Sequence, residues 1–178
     1  MLKEPLVSQE IHCQNGSKKA KTLPPLKDTL IEPKEPKAVE LELDEMWSFV
    51  FKKKRKRWIW LALCKATRQV VACVIGGRSK RTCKQLWKTI PKNYRQGICY
   101  SDFWKAYKEV LPDEHHQSVS KQSGLTNHIE RFNNTIRQRL SRFVRKTLSF
   151  SKSEHMHQIC LHLFLYRYNI ERIAIILK

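Results

Sequence analysis

Acid is scarce in this chain once the first forty residues are passed. Residues 41–178 hold ten carboxylates, at positions 42, 44, 45, 102, 109, 113, 114, 130, 154 and 171, against twenty-eight Lys and Arg. In so basic a stretch, an acid that interrupts an apolar run or a basic helix face needs a reason of its own. Asp44 lies inside the strand-like run Leu41–Phe51, Asp102 ends the run that begins at Ile98, and Glu130 opens a helix whose next twenty-three residues contain no acid. Clustered cysteine is also lacking. Cys13, Cys64, Cys73, Cys83, Cys99 and Cys160 stand singly, without C-x-x-C or a signal-like N-terminus. That pattern argues against a disulfide framework or a zinc finger and suits small apolar residues in a reducing cytoplasm. Lys65 and Arg68 break the Trp58–Gly76 stretch, and Arg167, Glu171 and Arg172 break the C-terminal one. Neither run then approaches the roughly 18 uninterrupted apolar residues of a membrane span. With no G-x-x-x-x-G-K-[ST] or G-x-G-x-x-G motif, ATP dependence is not supported.

What is present is positive charge. A formal +19 and a pI near 9.9 are the footprint of a polyanion binder, because each cation near a phosphate releases condensed counterions. A merely soluble basic surface is the plain alternative, although a magnitude well above roughly 8 is unusual for a small domain; an anionic membrane surface is a third. At 178 residues with 41% apolar content, one core with a tail is expected. Residues 1–40 hold five of the seven prolines, seven Lys and six acids, so nearly all the net charge belongs to residues 41–178. The first forty residues therefore read as a poorly ordered, extended tail or linker, and 41–178 as the domain.

Within the domain, Leu41–Phe51, Trp58–Ala66 and Val70–Gly76 are β-rich runs separated by short polar connections, which predicts an antiparallel meander. Helical spacing follows over Arg78–Pro91, then a short strand at Ile98–Ser101, a helix from about Phe103 to Leu111 and a weak strand candidate at His115–Ser120. The remainder reads as helix, over Asn127–Arg145 and Ser153–Leu177, the latter with Met156, Ile159, Leu163, Tyr166 and Ile170 on one stripe. The predicted fold is α/β, a mixed sheet flanked by helices.

Strand alternation puts Asp44 on one face with Glu42, Met46 and Ser48, and Glu45 on the other with Leu43 and Trp47. A strand-edge acid paired with one of the many basic residues is the plain alternative for Asp44, and Glu45 is its nearest competitor. Asp102, between strand and helix, suits an N-cap, as does Ser101. It also suits a ligand, since ligands collect at the carboxyl ends of strands in open α/β sheets. Asn127-His-Ile-Glu130 resembles a capping box. A cap leaves unexplained the basic face that follows: Arg131, Arg137, Arg139, Arg142, Arg145, Lys146 and Lys152. Arg137 lies two turns beyond Glu130, about 10 Å along the axis, and pairs a candidate ligand with a phosphate-gripping guanidinium. Three carboxylates from separate elements suit hard Mg²⁺ or Mn²⁺, as ligands of a two-ion site for in-line phosphoryl displacement. His155, His157 and His162 lack a completing Cys or acid and read as surface or core residues. Lys52–Arg57, flanked by Trp58 and Trp60, reads either as a charged hairpin tip or as a phosphate grip with base stacking.

The segments Glu42-Leu-Asp-Glu-Met-Trp47, Tyr100-Ser-Asp-Phe-Trp-Lys-Ala-Tyr107, His128-Ile-Glu-Arg-Phe-Asn-Asn-Thr-Ile-Arg-Gln-Arg-Leu-Ser-Arg142 and Arg145-Lys-Thr-Leu-Ser-Phe-Ser-Lys152 resemble the catalytic part of the bacterial insertion sequence 1 transposases, the InsB-type reading frame. The similarity covers about residues 40–170. It implies a ribonuclease H-like fold with an Asp-Asp-Glu triad at Asp44, Asp102 and Glu130, and a basic residue one heptad later at Arg137. It also implies Mg²⁺-dependent nicking at transposon ends followed by strand transfer into target DNA, by a homo-oligomer on DNA in the cytoplasm at the nucleoid. Members of the family begin with a zinc-finger and helix-turn-helix region, commonly supplied by an upstream frame. Residues 1–40 contain one Cys and no such pattern, so a partner or fusion is expected to read the end sequence. A DNA-binding inhibitor of transposition, without activity of its own, is the alternative from a non-enzymatic class; a nuclease without strand transfer is a third.

Overall fold

The computed structural model describes residues 24–178; Cys13 and residues 1–23 of the expected tail lie outside the described residues. Five strands form one mixed sheet in the order β3-β2-β1-β4-β5. They are β1 (Glu40–Phe49), β2 (Lys56–Cys64), β3 (Val70–Gly76), β4 (Ile98–Ser101) and β5 (His116–Ser118). The first three pair antiparallel, and β4 and β5 run parallel to β1. The helices are α1 (Lys80–Thr89), α2 (Lys105–Val110), α3 (Asn127–Arg139) and α4 (Glu154–Ile176). This is the α/β mixed sheet flanked by helices expected from the element order, and it is consistent with the ribonuclease H-like fold that the resemblance implies.

Alternation along the central strand divides the core in two. Leu41 and Leu43 point with Trp60 and Ala62 toward α1 and α2, where Cys83 and Tyr107 are buried. Met46 points the other way, with Ile59 and Leu61, into a second cluster built by Ile129, Phe132 and Ile136 of α3 and Leu161 and Leu165 of α4. Helices thus cover both faces, and an acid on either side of β1 is held under a helix layer. Gly97 admits the close approach of β4 to β1. A Cβ there would stand 1.9 Å from the carbonyl oxygen of Val39, which accepts the Ile98 N–H at 2.9 Å.

Several boundaries differ from expectation. Residues 24–39 are not a free tail: Thr29 is buried, its Oγ1 accepts from Asn169 Nδ2 at 2.8 Å, and Ile31 N–H donates to Gln69 Oε1 at 2.9 Å. Helix α3 stops at Arg139 rather than Arg145. Leu140 is extended, and a 3-10 turn at Ser141–Phe143 drives Phe143 into the core, where its ring stacks on His157 at 4.4 Å. On α4 the buried face is His157, Leu161, Leu165 and Asn169, with Ile159, and not the predicted stripe; Ile170 is exposed. The polar members of that face find partners inside, although the buried His157 Nε2 has none among the described residues. His157 Nδ1 meets Ser151 Oγ at 2.9 Å, while Asn169 accepts from Val70 N–H at 2.8 Å and donates to Val70 O at 2.9 Å. Asn169 thereby ties up backbone groups of the outer strand β3 that would otherwise be an open edge.

Candidate functional site

Asp44 and Asp102 are brought together by strand register. In the parallel β1–β4 pair, Glu40 faces Ile98, Leu41 faces Cys99 and Glu42 faces Tyr100, a constant offset of 58 positions. Continuing it by two residues sets Asp44 beside Asp102 at the carboxyl end of β4. Glu130 arrives from the first turn of α3, which crosses β1. All three carboxylates are half-buried and line one cleft of about 330 Å³ together with Asn133, Arg137 and Arg145.

The electrostatics follow from that convergence. Burial raises the pKa of Asp44 to about 7, with the charges of Glu45, Asp102 and Glu130 pushing the same way and the Glu45 N–H opposing. Asp44 Oδ1 accepts that N–H at 2.8 Å, and Oδ2 accepts from Asn133 Nδ2 at 2.7 Å. Asp102 Oδ1 accepts the Trp104 N–H at 3.0 Å, a turn two residues ahead of α2 rather than a helix cap. Glu130 Oε1 accepts from Thr126 Oγ1 at 3.2 Å. Arg137 has its pKa lowered by burial and by Arg145, with Asp44 opposing, and its Nε is buried without a hydrogen-bond partner among the described residues. The Asn133 Oδ1 is in the same position.

The competing acids are tied to other partners, although Glu45 and Arg78 also line the cleft. Glu42, completely buried, accepts the N–H groups of His128 and Ile129 on Oε2 at 2.9 Å each and pairs with the His128 imidazole through Oε1. It, and not an Asn127–Glu130 capping box, satisfies the start of α3, where a carboxylate also meets the positive end of the helix dipole. Glu45 is buried against Arg78, at 2.9 Å to Nε, and the Tyr107 hydroxyl at 2.9 Å. Glu130 is thereby free of a capping duty.

The basic face divides where α3 ends. Arg137 and Arg145 enter the carboxylate cleft. Arg139 and Arg142 instead line a separate groove against α4, where Arg139 pairs with Glu171 at 3.5 Å. Arg131, Lys146 and Lys152 are exposed. Trp60 is fully buried and donates its indole N–H to Gly77 O at 3.1 Å, so it is a core residue rather than a stacking surface. Trp58 borders the cleft with the Arg78 guanidinium 4.8 Å over its ring. Sequence reasoning missed Asn133, although three positions after Glu130 and four before Arg137 is the spacing of one helix face.

Among the described residues no group of three or more His, Cys, Asp or Glu is arranged to hold a metal ion as its side chains stand. The donors fit a hard divalent cation in kind. They are carboxylate oxygens with surplus negative charge, and Asp102 and Glu130 are each held through a single oxygen.

A family model described as IS1 transposase matches residues 38–170. The chain is 36% identical over 128 residues to the insertion element iso-IS1n protein InsB of Shigella dysenteriae, covering 72% of this chain and 95% of that one. It is 37% identical over 127 residues to the insertion element IS1 4 protein InsB of Escherichia coli (strain K12), covering 71% and 74% respectively. Against the insertion element IS1 protein InsB of Shigella flexneri it is 38% identical over 116 residues, covering 65% and 86%. With most of the domain matched, including the strand and helix segments that supply the cleft, the chain belongs to the IS1 transposase family.

Proposed function

We propose that this chain cuts DNA at the ends of its element and joins them to target DNA, using Asp44, Asp102 and Glu130 as a metal-holding triad. The observation that carries the reading is the cleft itself, where three carboxylates from β1, the end of β4 and α3 meet beside Arg137 and Arg145. Like charges are held together there at a cost to ionisation, which a bound cation would relieve. Mg²⁺ or Mn²⁺, as two ions held by the triad, would sharpen the attacking oxygen and steady the leaving one.

The chain's own residues supply the rest. Arg137, whose buried Nε has no hydrogen-bond partner among the described residues, is placed to grip a phosphate oxygen, and Arg145 adds charge beside it. Asn133 holds the Asp44 carboxylate in orientation through its Nδ2. In the first step water attacks the scissile phosphorus and the bond to the 3′ oxygen breaks, leaving a 3′-hydroxyl on the element. In the second, that hydroxyl attacks a phosphorus of the target and displaces a target 3′ oxygen. The working form is a homo-oligomer on DNA, acting with a zinc-finger/helix-turn-helix partner or fusion that reads the ends.

The test is incubation of the purified chain, with its end-reading partner or as the fusion, with a duplex carrying an element end and a target plasmid, in Mg²⁺ or Mn²⁺. Nicked and joined products are expected, and both should vanish in Asp102→Asn and Glu130→Gln. A nick without joined product would make the chain a nuclease. DNA binding without either product, with inhibition of an active transposase in trans, would make it a regulator. Products insensitive to both substitutions would end the triad assignment.

A further inference from the structure

The hairpin joining β1 and β2 carries six consecutive cations, Lys52 to Arg57, and is a shaped turn. Lys52 N–H donates to Val50 O and Arg55 N–H to Lys52 O, each at 2.8 Å, while Val50 N–H donates to Arg55 O at 3.2 Å. Phe51 turns the chain in a left-handed conformation, φ 63°. Residues 51–56 are all exposed. From Met46 to Ser101 there is no acid in the sequence, and none from Arg131 to Ser153.

These two acid-free stretches are built into one surface. Val50 and Ser151 form a parallel bridge, and the Phe51 N–H donates to Ser151 O at 2.9 Å. Phe49 and Phe150 rings lie 5.7 Å apart. Arg57 takes the carboxylate of Glu154, at 2.8 Å from its Nε, which removes the nearest acid from competition. Between the stretches Trp47 is flanked by two cations, Lys56 at 5.0 Å and Arg145 at 5.4 Å from its ring. Arg145 is itself a wall of the carboxylate cleft. Positive charge therefore runs without interruption from the cleft, across Trp47, to the hairpin tip. Holding so many like charges on fixed backbone works against folding and favours a polyanion laid along them.

We propose that the β1–β2 hairpin is a second DNA-binding element, forming with the 145–152 segment a track that holds the phosphates of duplex DNA leaving the cleft. The proposal rests on the transposase reading for its choice of polyanion. A continuous track of cations from two separate segments matches the spaced phosphates of a duplex better than a point anion.

The test is binding of the full chain to fluorescent duplex DNA across a range of salt, for wild type, a Lys52→Ala/Lys53→Ala/Lys54→Ala variant, and Arg137→Ala. Those three lysines enter no ion pair among the described residues, so the thermal transition should be unchanged. The triple variant should bind at least about tenfold more weakly near physiological salt. Its slope of log K against log salt should flatten by up to about 2.7, since each lost contact is worth about 0.9. A photo-crosslinker at position 53 should label the duplex. If Arg137→Ala weakens binding while the triple variant keeps wild-type affinity and slope, the hairpin proposal is wrong and the cleft reading stands. If the wild type itself shows no salt-dependent binding, the transposase reading fails first. Preference of the hairpin-dependent binding for single-stranded DNA would also overturn the duplex assignment.

Discussion

Asp44 is crowded by Glu45, Asp102 and Glu130 in a half-buried site, and the result is a pKa of about 7 against an ordinary value near 4. The sign matters. Between about pH 4 and pH 7 the folded chain keeps a proton that the unfolded chain releases, so stability from this group is full below pH 4 and is lost as pH rises through 7. Asp44→Asn should therefore stabilise the metal-free protein at pH 8, on the order of 1–3 kcal/mol, and do little at pH 4. Urea unfolding at the two pH values measures this. Mg²⁺ at pH 8 should stabilise the wild type and leave Asp44→Asn nearly unchanged. A wild type indifferent to Mg²⁺ and Mn²⁺ would remove Asp44 from the ligand set.

Helix α3 delivers four of the cleft's side chains, Glu130, Asn133, Asn134 and Arg137, and its start is secured by a strand residue, Glu42, from 86 positions away. The two acids near that helix end consequently have opposite duties. Glu42→Ala strips a buried partner from two backbone N–H groups and should cost about 2–4 kcal/mol, a lost cap plus unsatisfied donors. Glu130→Gln keeps the bond to Thr126 in shape and should shift stability by less than about 0.5 kcal/mol while abolishing nicking. Thermal melts of both variants beside an activity assay decide the matter. Equal destabilisation would return Glu130 to the role of a helix cap.

Across the whole molecule, the α3 side of the fold is tied together around His157, which stacks on Phe143 and meets Ser151, the residue that bridges to the hairpin. Burial lowers its pKa to about 4, with Glu154 opposing. The unfolded chain takes the proton first, so this stability is present above about pH 6.5 and is lost as pH falls through 4, about 3 kcal/mol in all. Acid should therefore loosen the hairpin, the 145–152 segment and α4 together. His157→Gln should flatten the difference in stability between pH 7 and pH 4 relative to wild type, by chemical denaturation at each pH. An unchanged pH profile would show that His157 titrates freely.

Sequence alone determined the kinds of element and singled out three acids that line one cleft. β-rich runs broken by short polar turns gave β1 to β3 within a few residues, because side-chain alternation and chain breaks are local properties. Asp44, Asp102 and Glu130 stood out because acid is rare around them, and the family segments carry the same positions. What acts through distant partners was decided by tertiary structure. Residues 24–39 join the core because Gln69, Tyr94 and Asn169 wait for their backbone and hydroxyl groups. Helix α3 ends six residues early because Phe143 gains more by burial beside His157 than by continuing a basic helix. The inward face of α4 holds a histidine and an asparagine that hydropathy assigns to water, because the histidine Nδ1 and the asparagine amide meet partners inside. Glu42 and Glu130 are alike in composition and in their place beside hydrophobic residues. Only the crossing of α3 over β1 assigns one carboxylate to the helix backbone and leaves the other facing the cleft.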